Sequence, residues 1–178
     1  YTVTFPGEDP ISVNAPTDAE LSRFGTSGAN GIWLSVLEKA YGQHRNNEAF
    51  FSESDVPQDA ADGGALLSEG VSTMTGRSTN MDLLSLTGIE TTRSRLTAAM
   101  RDGHAVTAGT RGKLPGESNR IQGIPRGHAY AVTGYNPQTD EVTLRNPWGR
   151  TEITNAQGGP RDGVNDGVFT VSLEEFNS

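Results

Sequence analysis

The sequence has 178 residues, a formal net charge of −8 at pH 7, 22 glycines, 9 prolines and no cysteine. This length suits one hydrophobic core, and we expect a single domain over residues 1–178. The acidic balance argues against a nucleic-acid partner or an anionic membrane surface, because phosphate binding depends on clustered lysine and arginine. The absence of cysteine excludes disulfides and thiolate metal sites but leaves the cellular compartment open. The sequence contains no run of about 18 apolar residues, the length that would predict a membrane-spanning helix.

The first half of the chain predicts a hairpin, one helix and a long loop. Residues 1–13 alternate apolar and polar side chains around a Pro-Gly pair, which is typical of a β-hairpin. Residues 32–41 carry apolar side chains at helical spacing, which predicts an amphipathic helix with Trp33 in the core and Gly42 as its C-terminal cap. Residues 43–86 show little periodicity, and we expect a loop with a functional or partner-bound role there.

The second half predicts mainly strands. A helix is expected over residues 92–102, and a Ser-x-x-Glu capping box at 172–175 opens a short terminal helix. The alternating segments are residues 105–108, 128–135, 141–145 and 167–171, with a loop at 109–126 and a turn at 136–140. We therefore predict an α+β fold: an antiparallel, barrel-like β-sheet with a few flanking helices.

A histidine and an asparagine lie at the ends of two strands that the turn joins. Antiparallel pairing brings His128 and Asn146, eighteen residues apart, to the same end of the hairpin. The amide oxygen of Asn146 can then accept a hydrogen bond from one ring nitrogen of His128 and fix its tautomer. We expect the Trp148 indole to cover this bond, Pro147 to stiffen the strand exit, and Gly127 to allow close backbone approach.

Residues 127–135, Gly-His-Ala-Tyr-Ala-Val-Thr-Gly-Tyr, and 144–149, Leu-Arg-Asn-Pro-Trp-Gly, resemble the histidine and asparagine motifs of the calpain family of cysteine proteases. Residues 33–42, 63–76 and 166–176 are similar to further parts of that family's core. The resemblance thus covers nearly the whole chain. It implies half of a papain-like catalytic core, whose nucleophilic cysteine and oxyanion-hole glutamine belong to a largely helical subdomain that this chain does not contain.

The resemblance also implies a mechanism and partners. His128 would pair with a cysteine thiolate from an upstream segment or a separate chain, protonate the leaving amine and then activate water, while Asn146 orients the imidazole. The substrate would be a protein or peptide, cleaved within its chain. This chemistry requires no cofactor.

Polar residues outside the two motifs give weaker signals. Asp162 and Asp166 are calcium candidates, since the family resembled often binds calcium in this subdomain, and a solvated turn is the alternative. His44 and His104 lie beside predicted helix ends and are interpreted as surface or capping residues.

Two other functional hypotheses stay open. The chain could be a catalytically dead protease fold kept as a binding or regulatory module. A rival alignment supports that hypothesis by placing Ile32 where the family's nucleophile motif has cysteine. Alternatively, the complete site could perform a related acyl transfer, such as deamidation or transglutamination, with the same three residue types.

Overall fold

The computed structural model describes residues 1–22, 31–47 and 67–178. These residues form two compact units, Tyr1–Asn80 and Met81–Ser178. Helices and antiparallel sheets occur together, which confirms the predicted α+β class. Within the described ranges no helix is both long and apolar enough to cross a membrane. The glycine pair at 63–64 and much of the predicted long loop lie outside the described residues.

The first unit opens with the predicted hairpin. Strands β1 (Thr2–Val3) and β2 (Ile11–Ser12) pair antiparallel, with Val3 opposite Ile11. Helix α1 (Asp18–Leu21) follows, and Thr17 and Glu20 form a capping box at its start. The side chain of Glu20 also accepts a hydrogen bond from Lys39 Nζ at 2.9 Å.

Helix α2 (Trp33–Asn47) is longer than predicted, and Gly42 lies inside it rather than capping it. Val36 and Ala40 are buried as one stripe, and His44 continues that stripe a turn later. Burying this extra turn outweighs the roughly 1 kcal/mol cost of an interior glycine. The expectation for Trp33 is wrong, because its side chain is 58% exposed.

The interpretation of His44 as a surface or capping residue is also wrong. Its side chain is buried, and its ring centroid lies 5.5 Å from that of Phe5 and 6.4 Å from that of Tyr41. His104 is exposed, as expected, and its backbone N–H donates to the Ala99 carbonyl at 2.9 Å.

Part of the predicted loop is a helix, α3 (Leu67–Thr75). Its apolar residues Leu67, Val71 and Met74 recur at helical spacing, but the flanking glycines and serines weakened this signal in the sequence. Gly76 then ends the helix with φ +65.

The second unit contains helix α4 (Ile89–Arg101) and a four-stranded sheet. The sheet strands are β3 (Val106–Gly109), β6 (Ala129–Asn136), β7 (Glu141–Arg145) and β8 (Val168–Ser172). Two paired strands of two residues each, β4 (Arg120–Ile121) and β5 (Ile124–Pro125), interrupt the predicted 109–126 loop. Helix α5 (Leu173–Asn177) begins at the predicted capping box.

The sheet is antiparallel in the order β3-β6-β7-β8 and is not closed into a barrel, which corrects the barrel-like part of the prediction. Alternate side chains face one core, except that a register shift between Val132 and Gly134 turns Tyr135 toward it; the core also includes Leu96 of α4 and Leu173 of α5. The strand residues in this core are Val106, Ala108, Tyr130, Val132, Tyr135, Val142, Leu144, Phe169 and Val171. The central strands β6 and β7 position the two sequence motifs.

Asp140 in the β6–β7 turn ties the sheet to α4, and its removal should alter the acid stability of the protein. Its carboxylate accepts bonds from Arg93 Nε at 3.0 Å, Arg93 Nη2 at 2.6 Å and the Tyr135 hydroxyl at 2.6 Å. The Arg93 guanidinium, followed by the Tyr135 hydroxyl, lowers the pKa of Asp140 from 3.8 to about 2. These bonds therefore stabilise the folded protein fully at pH values above 3.8, the ordinary pKa of this carboxyl group in the unfolded chain. The stabilisation is lost as the pH falls through about 2, the pKa in the folded protein.

We expect Asp140→Asn to lower the urea midpoint at neutral pH and to make it less dependent on pH between about 4 and about 2. Urea titrations across that range measure the effect. Asp162→Asn, an exposed aspartate in another loop, is the control. Parallel pH profiles for the parent and Asp140→Asn would contradict the assignment.

Candidate active site

His128 and Asn146 are brought together by the β6–β7 pairing. Ala131 of β6 lies opposite Arg145 of β7, so the residue that precedes β6 and the residue that follows β7 meet at the same end of the sheet. The Nε2 atom of His128 lies 3.0 Å from Oδ1 of Asn146.

The surroundings of Asn146 fix which amide atom faces the imidazole. Asn146 is fully buried, and its Nδ2 donates to the Thr151 carbonyl at 2.9 Å. Its Oδ1 accepts the backbone N–H of Trp148 at 3.0 Å. Because Oδ1 can only accept, the proton of the His128 contact lies on Nε2. The Nδ1 atom of neutral His128 therefore keeps its lone pair, and this ring nitrogen can act as a base.

Two aromatic rings contact the imidazole. The Trp148 ring centroid lies 4.2 Å from that of His128 at an interplanar angle of 41°, and the Tyr130 ring meets it edge-on at 4.9 Å. Trp148 is 54% exposed, so it shields one face of the imidazole while remaining partly in solvent. Burial raises the pKa of the Tyr130 hydroxyl to about 12. Tyr130 is therefore a neutral neighbour of His128 at physiological pH.

Sequence reasoning did not place Tyr130 at the site. The signal was available, since residues two apart on a strand share a face, and Tyr130 follows His128 by two.

The backbone of His128 is held by Thr110. The His128 N–H donates to Thr110 Oγ1 at 3.1 Å, and the Thr110 N–H donates to the His128 carbonyl at 3.0 Å. The preceding Gly127 has φ +64, a conformation that favours glycine. Space is not the reason for this glycine, because the nearest atom to a Cβ added there would be Gly112 Cα at 3.9 Å. The backbone does approach closely beside Gly127, since its N–H donates to the Arg111 carbonyl at 3.0 Å, but the space there would still admit a Cβ.

Pro147 lies in a tight turn. The Gly149 N–H donates to the Asn146 carbonyl at 3.0 Å, which closes a β-turn with Pro147 at its second position. Proline favours that position because its ring fixes φ. The turn places the Trp148 N–H on Asn146 Oδ1 and the indole against the imidazole.

A family model described as calpain family cysteine protease matches residues 11–158. This range includes both motifs and most of the chain. The chain belongs to the calpain family of cysteine proteases. Membership in the calpain family supports a proteolytic function in general, and this sequence, which has no cysteine, lacks the family's nucleophile. No curated protein shows significant similarity to the chain.

The loop after Asn146 contains neighbours of this residue that sequence reasoning missed. Glu152 is buried, and its Oε1 accepts the Gly167 N–H at 2.6 Å. The Gly167 carbonyl in turn accepts the Asn146 N–H at 2.7 Å. A glutamate in a loop without periodicity gives no sequence signal of burial.

The calcium candidates Asp162 and Asp166 are exposed and form local turns. Their Oδ1 atoms accept the backbone N–H groups of Val164 at 3.0 Å and Val168 at 2.9 Å. The described ranges contain no group of three or more His, Cys, Asp or Glu side chains arranged to hold a metal ion. The two aspartates thus have a structural use in their loop, and calcium binding by this chain stays a prediction.

Proposed function

We propose that the chain supplies the general base His128 and its orienting partner Asn146 to a calpain-type cysteine endopeptidase. The nucleophilic thiol would come from a segment outside this sequence, either upstream in the same protein or in a separate chain. The observation that supports this function best is the 3.0 Å contact between His128 Nε2 and Asn146 Oδ1, with the amide oriented by Thr151 and Trp148.

The proposed chemistry begins at His128 Nδ1. This atom takes the proton of the cysteine thiol, and the thiolate attacks the carbonyl carbon of the scissile peptide bond. The imidazolium then returns the proton to the leaving amine as the carbon–nitrogen bond breaks, which leaves an acyl-enzyme. In the second half, Nδ1 takes a proton from water as the water oxygen attacks the acyl carbon. The carbon–sulfur bond then breaks, the imidazolium returns its proton to the sulfur, and the carboxylic acid product leaves.

Asn146 and Trp148 would support the charged form of His128. The Asn146 oxygen accepts the Nε2 proton throughout, so the imidazole keeps its direction while Nδ1 gains and loses a proton. The indole face beside the imidazole favours a positive charge through its electron-rich π system. The neutral asparagine takes no proton itself and serves as an orienting group.

The test combines this chain with a cysteine-bearing calpain-type segment and a denatured protein substrate. We expect new amino termini in the substrate only when both pieces are present, and we expect alkylation of the thiol to abolish them. Mass spectrometry of the products identifies the reaction. Glutamine side chains changed without backbone cleavage would indicate deamidation or transglutamination instead. Formation of a complex without any substrate change would favour the binding module.

A further inference from the structure

Asn146 belongs to a closed hydrogen-bonded ring of four residues. Its backbone N–H donates to the Gly167 carbonyl at 2.7 Å, and the Gly167 N–H donates to Glu152 Oε1 at 2.6 Å. Glu152 is joined by a peptide bond to Thr151, whose carbonyl accepts Asn146 Nδ2 at 2.9 Å. The ring thus binds Asn146 through both its backbone and its side chain. The remaining polar atom of the side chain, Oδ1, faces His128 Nε2 and accepts the Trp148 N–H.

Glu152 is an unusual residue for this position. It is 3% exposed, and its Oε2 atom is buried with no hydrogen-bond partner in the described part of the chain. Burying a carboxyl group is unfavourable unless its oxygens are bonded, so packing alone does not explain a glutamate here. What the side chain does is hold the Gly167 backbone, and through it the Asn146 backbone.

Thr151 shows that the ring imposes a conformation on the loop. Its φ is +68, which β-branched residues rarely adopt because the side chain crowds the backbone. The Thr151 N–H is held by Asn165 Oδ1 at 2.8 Å. In this conformation the Thr151 carbonyl accepts a hydrogen bond from Nδ2 of the Asn146 side chain. Such backbone outliers persist where neighbouring contacts fix them, and they concentrate at functional sites.

We propose that Glu152 is a positioning residue, which holds Asn146 through Gly167 and Thr151 so that the amide oxygen faces His128 Nε2. This inference rests on the proposed function of the His128 and Asn146 pair. Glu152 acts through the ring and contacts neither the imidazole nor the reacting atoms.

The test measures hydrogen exchange of the His128 Nε2 proton by NMR in the ¹⁵N-labelled chain. We expect Glu152→Ala to speed this exchange by about fivefold or more, since the bond to Asn146 is no longer held in place. Glu152→Gln should restore near-parent exchange, because its amide oxygen can accept the same Gly167 N–H. Glu174→Ala, which removes an exposed glutamate in α5, is the matched control and should leave the rate unchanged.

Parent-like exchange in a folded Glu152→Ala variant would overturn the proposal. If that variant does not fold, Asn165→Ala provides the decisive measurement, because it releases the Thr151 N–H at an exposed position. Faster exchange in Asn165→Ala supports the ring, and parent-like exchange contradicts it. The experiment needs neither a thiol nor a substrate, so its result is independent of whether the combined pieces hydrolyse peptides.

Discussion

We expect the His128→Ala variant to hydrolyse peptide bonds about 10² to 10⁴ times more slowly than the parent when each is combined with the cysteine-bearing segment. The variant removes the nitrogen that would deprotonate the thiol and protonate the leaving amine. Both halves of the proposed reaction use this group, so neither acylation nor deacylation should proceed at a comparable rate. The loss should appear in kcat, because the imidazole acts on the reacting atoms.

The matched control for this prediction is His104→Ala. His104 is the exposed histidine that follows α4, so the control removes an imidazole without changing the candidate site. Initial rates measured at equal concentrations of complex, with binding of the two pieces checked separately, distinguish lost chemistry from lost assembly. Unchanged turnover in His128→Ala would exclude the catalytic role.

The pairing of His128 with Asn146 could be predicted from sequence because it depends on local rules. Alternating side chains define β6 and β7, and the short turn between them fixes their register. Once two strands are paired, the residues just beyond their open ends must meet. The same rules located β3 and β8 to within a residue.

The ring around Asn146 could not be predicted in this way. Gly167 and Glu152 are fifteen residues apart in irregular chain, and no periodicity relates them. Their contact exists because β8 pairs with β7 and returns residue 167 to the Asn146 backbone. The predicted end of helix α2 was wrong for a related reason. Gly42 is a local signal for a helix end, but burial of His44 against Phe5 favoured another helical turn.

Gly167→Ala should strongly destabilise the protein, because this glycine combines a positive φ with close backbone neighbours. Gly167 has φ +80, and an added Cβ would lie 2.8 Å from Arg150 N and from Gly149 C. These are backbone atoms of the turn after Trp148, which cannot move aside as a flexible side chain would. Because Gly167 also bonds Asn146 and Glu152, any shift that relieves the clash must stretch those bonds.

Gly163→Ala separates the two causes of this effect. Gly163 has φ +89 and no heavy atom within 4 Å of an added Cβ, so alanine there meets only the conformational cost. We expect Gly163→Ala to lower the free energy of unfolding by about 1 kcal/mol. Gly167→Ala adds the steric clash, and we expect a loss of about 3 kcal/mol or more.

Urea titration in a Trp33→Phe background measures both variants through Trp148 fluorescence, which reports on the second unit. Equal losses for the two substitutions would show that the turn yields to the added methyl group. A larger loss in Gly167→Ala than in Gly163→Ala, accompanied by faster exchange of the His128 Nε2 proton in Gly167→Ala alone, would link the packing of residue 167 against this turn to the placement of Asn146. Stability and the geometry of the histidine–asparagine pair would then depend on the same backbone contact.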